Sequence, residues 1–190
     1  MNQKLLINNL IKVEDRNRQL LRNIFLILAG TLFLALAAQI SIPLPYVPIT
    51  GQTFAVMLIG LVYGKKLGSA TLLSYIAAGS LGAPVFAGFK SGLPTAYPSG
   101  GFIIGFFFAA LICGYFADKG WTKSPIKLMV TLLAAHFVLY VFGLLQLSIF
   151  LPEKDIIKIG LLPFISGDIV KMLVLSALLP TVWKFTEKSF

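Results

Sequence analysis

Between residues 21 and 183 the chain alternates long apolar runs with short stretches rich in proline, glycine and lysine. The runs fall at about 21–42, 53–63, 67–82, 101–117, 126–150 and 160–183. A helix needs roughly 20 apolar residues to cross a hydrocarbon core of ~30 Å. Inside that core only helices or closed barrels satisfy their own backbone groups. These runs are continuous rather than alternating, so the expected fold class is an all-α membrane protein with six transmembrane helices. Charged residues make up only 12% of the chain, against roughly 25% in a soluble domain. Residues 1–190 are expected to form one membrane domain.

The basic residues give these crossings a direction. Twelve Lys and Arg lie in the amino-terminal segment, the second and fourth connections and the carboxyl tail; three lie in the other connections. Lys and Arg concentrate on the cytoplasmic side of membrane proteins. The expectation is therefore N-in/C-in in the cell membrane, with residues 1–20 as a cytoplasmic segment. Lys4, Lys12, Arg16, Arg18 and Arg22 interrupt any signal-peptide core. Trp121 and Trp183 fall at the expected inner interface. The net charge of +9 is thus explained by the lipid bilayer, and nucleic acid is not expected as a partner.

Two connections stand out. Run 53–63 covers only ~16 Å as a helix, so SIPLPYVPITGQ before it is expected to dip among the helices from outside. Residues 83–100 carry Val85, Phe86, Phe89, Leu93 and Tyr97. That content is wrong for a disordered linker and suits a lid over the bundle. The sole cysteine, Cys113, excludes an internal disulfide and reads as a packing residue.

Asp168 and Lys171 interrupt the last run in FISGDIVKML. A spacing of three places both on one helix face. A charge at the bilayer centre costs ~2.5–3.5 kcal/mol on insertion scales, so the pair must face a cavity or other polar groups. It is either a self-neutralising internal ion pair or a ligand site, with apolar walls from Tyr46, Val47, Phe86 and Phe89. His136 and Tyr140 share a face of the fifth run; His136 reads as a packing element and Tyr140 as a candidate pocket wall. Thr31, Ala35 and Ala38 form a small-residue face suited to docking a partner helix, and Gly60/Gly64, Gly105/Ala109 and Ala110/Gly114 repeat that spacing. No phosphate loop, H-E-x-x-H motif or metal-ligand cluster is present. The residues alone therefore leave three readings. One is a solute-binding subunit that relies on a partner to hydrolyse ATP. The others are a stand-alone or proton-coupled carrier for a small carboxylate solute, and a membrane enzyme around Asp168, His136 and Lys171.

AQISIPLPYVPITGQTFAV, GAPVFAGFKSG, SGGFIIGFFFAAL and LPFISGDIVKM, in this order, resemble the BioY family over roughly residues 25–182. These are the biotin-specific S components of energy-coupling factor transporters. The resemblance implies a six-helix S-component fold that captures biotin from outside, without a cofactor or metal and without enzymatic activity. It implies a shared transmembrane scaffold subunit and two cytoplasmic ATPase subunits as partners. By residue it implies a ligand site with Asp168 and Lys171 from GD-x-x-K, with Tyr46, Thr50 and Gln52 from the first loop, and with Phe86, Lys90 and Ser91 from the second. The family's small-residue docking pattern has Thr31 in its first slot here.

Overall fold

The computed structural model describes residues 5–7, 11 and 15–188; Lys4 and Lys12 lie outside the described residues. Helix α1 (Arg16–Gln39) opens on Asp15, whose carboxylate accepts from the backbone N–H of Arg18 at 3.4 Å. Such a side-chain cap supplies one of the helix's unpaired amides with an acceptor. The cap starts the helix ahead of the apolar run at 21. Leu5, Leu6 and Ile7 are buried, so the amino-terminal segment is not wholly solvated as expected. Leu5 and Ile7 cluster with Leu26 and Ala117.

After α1, Pro43, Pro45 and Pro48 forbid a continued helix. The chain instead makes a small hairpin, with β1 (Ser41–Ile42) antiparallel to β2 (Ile49–Thr50) and Ser41 opposite Thr50. Helix α2 (Gln52–Ser80) follows and breaks at Gly64, where φ is +78° and ψ 179°. Only glycine adopts that geometry without strain. The break reverses the chain: the side chains of Gln52 and Tyr75 are hydrogen bonded at 2.7 Å, whereas a straight helix would separate them by roughly 34 Å. The two short runs of the sequence are thus the two arms of one bent element.

Then come α3 (Gly100–Asp118), α4 (Pro125–Phe150), a short α5 (Ile156–Gly160) and α6 (Leu162–Lys188). With α2 counted once, five helices among the described residues are long and apolar enough to cross a membrane. Proline at the first position of α4 suits a helix start, where its missing N–H is not needed.

Small residues set the packing. A methyl group added to Gly60 would meet the Ala110 carbonyl, and one added to Gly105 would meet that of Leu139. The small-residue spacings on α2 and α3 are therefore spent inside the chain, where they let helices approach closely. The expected docking face of α1 is partly engaged in the same way. Ala38 is fully buried, Ala35 packs against the core, and Thr31 Oγ1 lies 3.5 Å from the Thr71 carbonyl oxygen. The outward face of α1 instead presents Leu21, Phe25, Leu28, Leu32 and Leu36.

The 83–100 connection is ordered. Phe86 inserts its ring over Gly79, which has no side chain to obstruct it. Gln39 at the end of α1 donates to the Phe86 carbonyl at 3.2 Å and accepts from the Phe89 amide at 3.1 Å. At its far end Gln146 donates to the carbonyls of Pro94 and Tyr97 at 2.8 and 2.7 Å.

Candidate ligand-binding cleft

The hairpin, the 83–100 connection and helices α2, α3, α4 and α6 enclose a cleft. It holds about 710 Å³ of empty space, its open mouth included. Pockets for small molecules are mostly apolar, with a few placed polar groups. Its apolar wall includes Val47, Phe86, Phe102, Phe106, Leu139 and Phe164. Phe102 stacks on Phe164 with ring centres 6.2 Å apart and meets Tyr140 edge-on at 6.3 Å.

The polar floor is centred on Asp168, which is only 4% exposed. Its Oδ1 accepts from Lys171 at 3.1 Å and from Thr53 at 3.4 Å; its Oδ2 accepts from the Tyr140 hydroxyl at 2.5 Å. Lys171 also donates to Thr53 Oγ1 at 2.5 Å and to the Thr50 carbonyl at 3.0 Å. An ammonium has three protons, so all three are placed. This pattern meets the requirement that a buried charge be both paired and hydrogen bonded. Lys171 sits nine residues into α6, or ~14 Å along it, and the first loop reaches that depth through Thr50.

Gln52 belongs to a second set of bonds. It donates to Tyr75, accepts from the Thr50 hydroxyl at 3.1 Å, and Tyr75 in turn donates to the Val85 carbonyl at 2.9 Å. These bonds tie the first loop to the base of the second. Lys90 lines the mouth and is exposed. Its ammonium has no hydrogen-bond or ion-pair partner among the described residues.

Of the residues singled out from the sequence, Thr50, Gln52, Phe86, Lys90, Tyr140, Asp168 and Lys171 line this cleft. Tyr46 and Ser91 do not. Tyr46 packs against the core beside Val47, and the hairpin turns Val47 inward instead. Ser91 is exposed. Phe89, expected as a wall, is also exposed; it takes a left-handed φ of 57° in the turn that pairs Phe86 with Lys90. Thr53 was missed, although it bonds both charges. Its position one residue after Gln52, in the first turn of α2, is the signal that was available. The aromatic residues of α3 were missed because an apolar helix does not reveal in sequence which face meets a cavity. His136 is buried with its Nε2 3.7 Å from Asp168 Oδ2, so it is a neighbour of the floor as well as a packing element.

These motifs and this cleft can be set beside known proteins. A model of the BioY family matches residues 4–188. This chain belongs to the BioY family. Among the relatives of this BioY-family chain, the Thermotoga maritima protein described as biotin transporter BioY is 36% identical over 153 residues, covering 78% of this chain and 89% of that one. The Pyrococcus horikoshii protein described as probable biotin transporter BioY is 42% identical over 144 residues, covering 74% and 85%. A crystal structure described as the S-component for biotin from an ECF-type ABC transporter superposes with a TM-score of 0.77. It is 25% identical in sequence and the match covers 90% of this chain and 95% of that one.

Proposed function

We propose that this chain is a biotin-binding membrane subunit of an ATP-driven vitamin transporter, not an enzyme. The observation that carries the reading is a buried, fully bonded charged floor beneath apolar walls, with an unpaired lysine at the mouth. Biotin is built in the same order. Its ureido group has two N–H donors and a carbonyl, its thioether ring is apolar, and its side chain ends in a carboxylate. Asp168 would accept from a ureido N–H, and Lys171, whose protons go to Thr50, Thr53 and Asp168, would orient it. Phe86, Phe102 and Phe164 would bury the ring. Lys90 would meet the carboxylate at the mouth, with Thr50 and Gln52 fixing the first loop and Tyr140 holding Asp168.

We read the two arms of α2 as separate crossings, giving six, with both termini cytoplasmic. Biotin would then enter from outside beneath the 83–100 connection. The expected partners are a transmembrane scaffold subunit and two ATPase subunits. The outward apolar face of α1 is a surface available to the scaffold, beside the partly buried Thr31–Ala35–Ala38 face. The stand-alone or proton-coupled carrier reading is not favoured, because the structural relative is described as a component of an ABC-type transporter. Calorimetric titration of the purified chain in detergent tests the reading. Biotin should bind stoichiometrically and biotin methyl ester more weakly; absence of biotin binding to folded protein would reject it.

A further inference from the structure

The end of α3 away from the cleft gathers basic and aromatic side chains. Gly64 breaks α2 there, and the next residue, Lys65, is pressed against α3: a methyl group added to Gly114 would lie 2.5 Å from the Lys65 backbone nitrogen. Asp118, the acid of α3, accepts from that same N–H at 3.4 Å. These contacts fix where the Lys65 side chain starts. Its ammonium lies 5.9 Å from the centre of the Tyr115 ring, and the Lys119 ammonium lies 4.2 Å from it. Among the described residues neither ammonium forms an ion pair. An exposed ring face attracts each cation only weakly, while the two cations repel one another. An anion beside the ring would balance both.

Next to this charged rim the surface is apolar. Leu111, Ile112, Tyr115 and Phe116 share one face of α3, and with Lys65 they line an open groove. The groove runs from the rim back one turn toward the middle of α3. Phe116 also packs on Trp121 with ring centres 4.3 Å apart, and Tyr and Trp collect where hydrocarbon meets headgroups. A water-soluble anion would use the lysines and leave the apolar strip uncovered. An uncharged chain would use the strip and leave the lysines unbalanced. An anionic phospholipid has both parts. We propose that this groove binds one anionic phospholipid, with its phosphate at Lys65, Lys119 and Tyr115 and an acyl chain along Leu111 and Ile112. Basic pockets between membrane helices take acidic headgroups in this way. The site shares no residue with the cleft and does not depend on what the cleft binds. Lys65 belongs to the bend of α2 and Lys119 follows α3, so the lipid would tie the bend to its neighbour and stabilise the fold where Gly64 interrupts the helix.

Native mass spectrometry of the purified chain tests this, with dioleoylphosphatidylglycerol and dioleoylphosphatidylcholine titrated separately. The wild type should retain one phosphatidylglycerol and hold phosphatidylcholine about tenfold more weakly or worse. Lys65→Gln with Lys119→Gln should weaken phosphatidylglycerol binding about thirtyfold and leave phosphatidylcholine binding unchanged. Lys154→Gln with Lys158→Gln removes the same charge beyond the far end of α4 and should bind as the wild type does. Tyr115→Leu should cost a few-fold. Phosphatidylglycerol should raise the melting temperature of the wild type but not that of the Lys65/Lys119 variant, and inorganic phosphate should raise neither. Equal retention of the two lipids by the wild type would overturn the proposal. So would unchanged binding in the Lys65/Lys119 variant, or an equal loss in both lysine pairs. Stabilisation by inorganic phosphate as large as that by phosphatidylglycerol would overturn the lipid assignment. If the Lys65/Lys119 variant fails to fold, the wild-type comparison of the two lipids and Tyr115→Leu still decide it.

Discussion

The floor and the mouth of the cleft both carry a lysine, and the two are treated in opposite ways. Lys171 is partly buried, with all three protons placed on Thr50, Thr53 and Asp168. Lys90 is exposed on a glycine-bounded turn between Gly88 and Gly92. A bonded charge in a low-dielectric floor is fixed before a ligand arrives, so it can discriminate by geometry. An exposed charge in water acts through a screened field and mainly affects how fast an anion arrives. The floor should therefore govern which solute is held, and the mouth how quickly a carboxylate is drawn in.

Substitutions that strip one partner from the floor sharpen this contrast most. Asp168→Ala leaves the partly buried Lys171 without its counter-ion. Losing one member of a buried charge pair costs ~2–5 kcal/mol, so biotin affinity measured by calorimetry should fall about thirtyfold or more. Thr53→Val keeps the shape of the side chain and removes the hydroxyl that bonds both charges. A loss near tenfold, or ~1.4 kcal/mol, is expected, with the melting temperature measured in parallel to separate binding from folding. Lys90→Ala should cost only a few-fold, and stopped-flow rates should show that loss in association and only at low salt. A Lys90→Ala effect larger than that of Thr53→Val would break the comparison. Lys66→Ala, in the bend remote from the cleft, should leave biotin affinity unchanged.

The parts of this site legible in the sequence were those where chemistry conflicts with surroundings. Asp168 and Lys171 are conspicuous because charge in an apolar run is costly, and their spacing alone places them on one helix face. Thr53 and His136 are not conspicuous, since one hydroxyl or one imidazole in a helix satisfies itself as often as not. Both became members of the floor only when α2 and α4 were laid against α6. Tyr46 and Ser91 were drawn in by their neighbours in sequence. In a hairpin and a tight turn, however, adjacent residues point in different directions. The small-residue face of α1 carried the same ambiguity: close packing was legible, but its partner was not.

The sequence by itself determined that this chain is a bundle of membrane-length helices, where its loops fall, and that one helix carries a charged pair. Those properties follow from local apolar content, proline and glycine, and the cost of burying charge, none of which needs long-range information. Only the tertiary structure decided that Gly64 folds α2 back on itself, so that Gln52 meets Tyr75 and Thr53 meets Asp168, 115 residues away. Such contacts depend on which helix faces meet, and a uniformly apolar helix does not encode its inward face in its own periodicity.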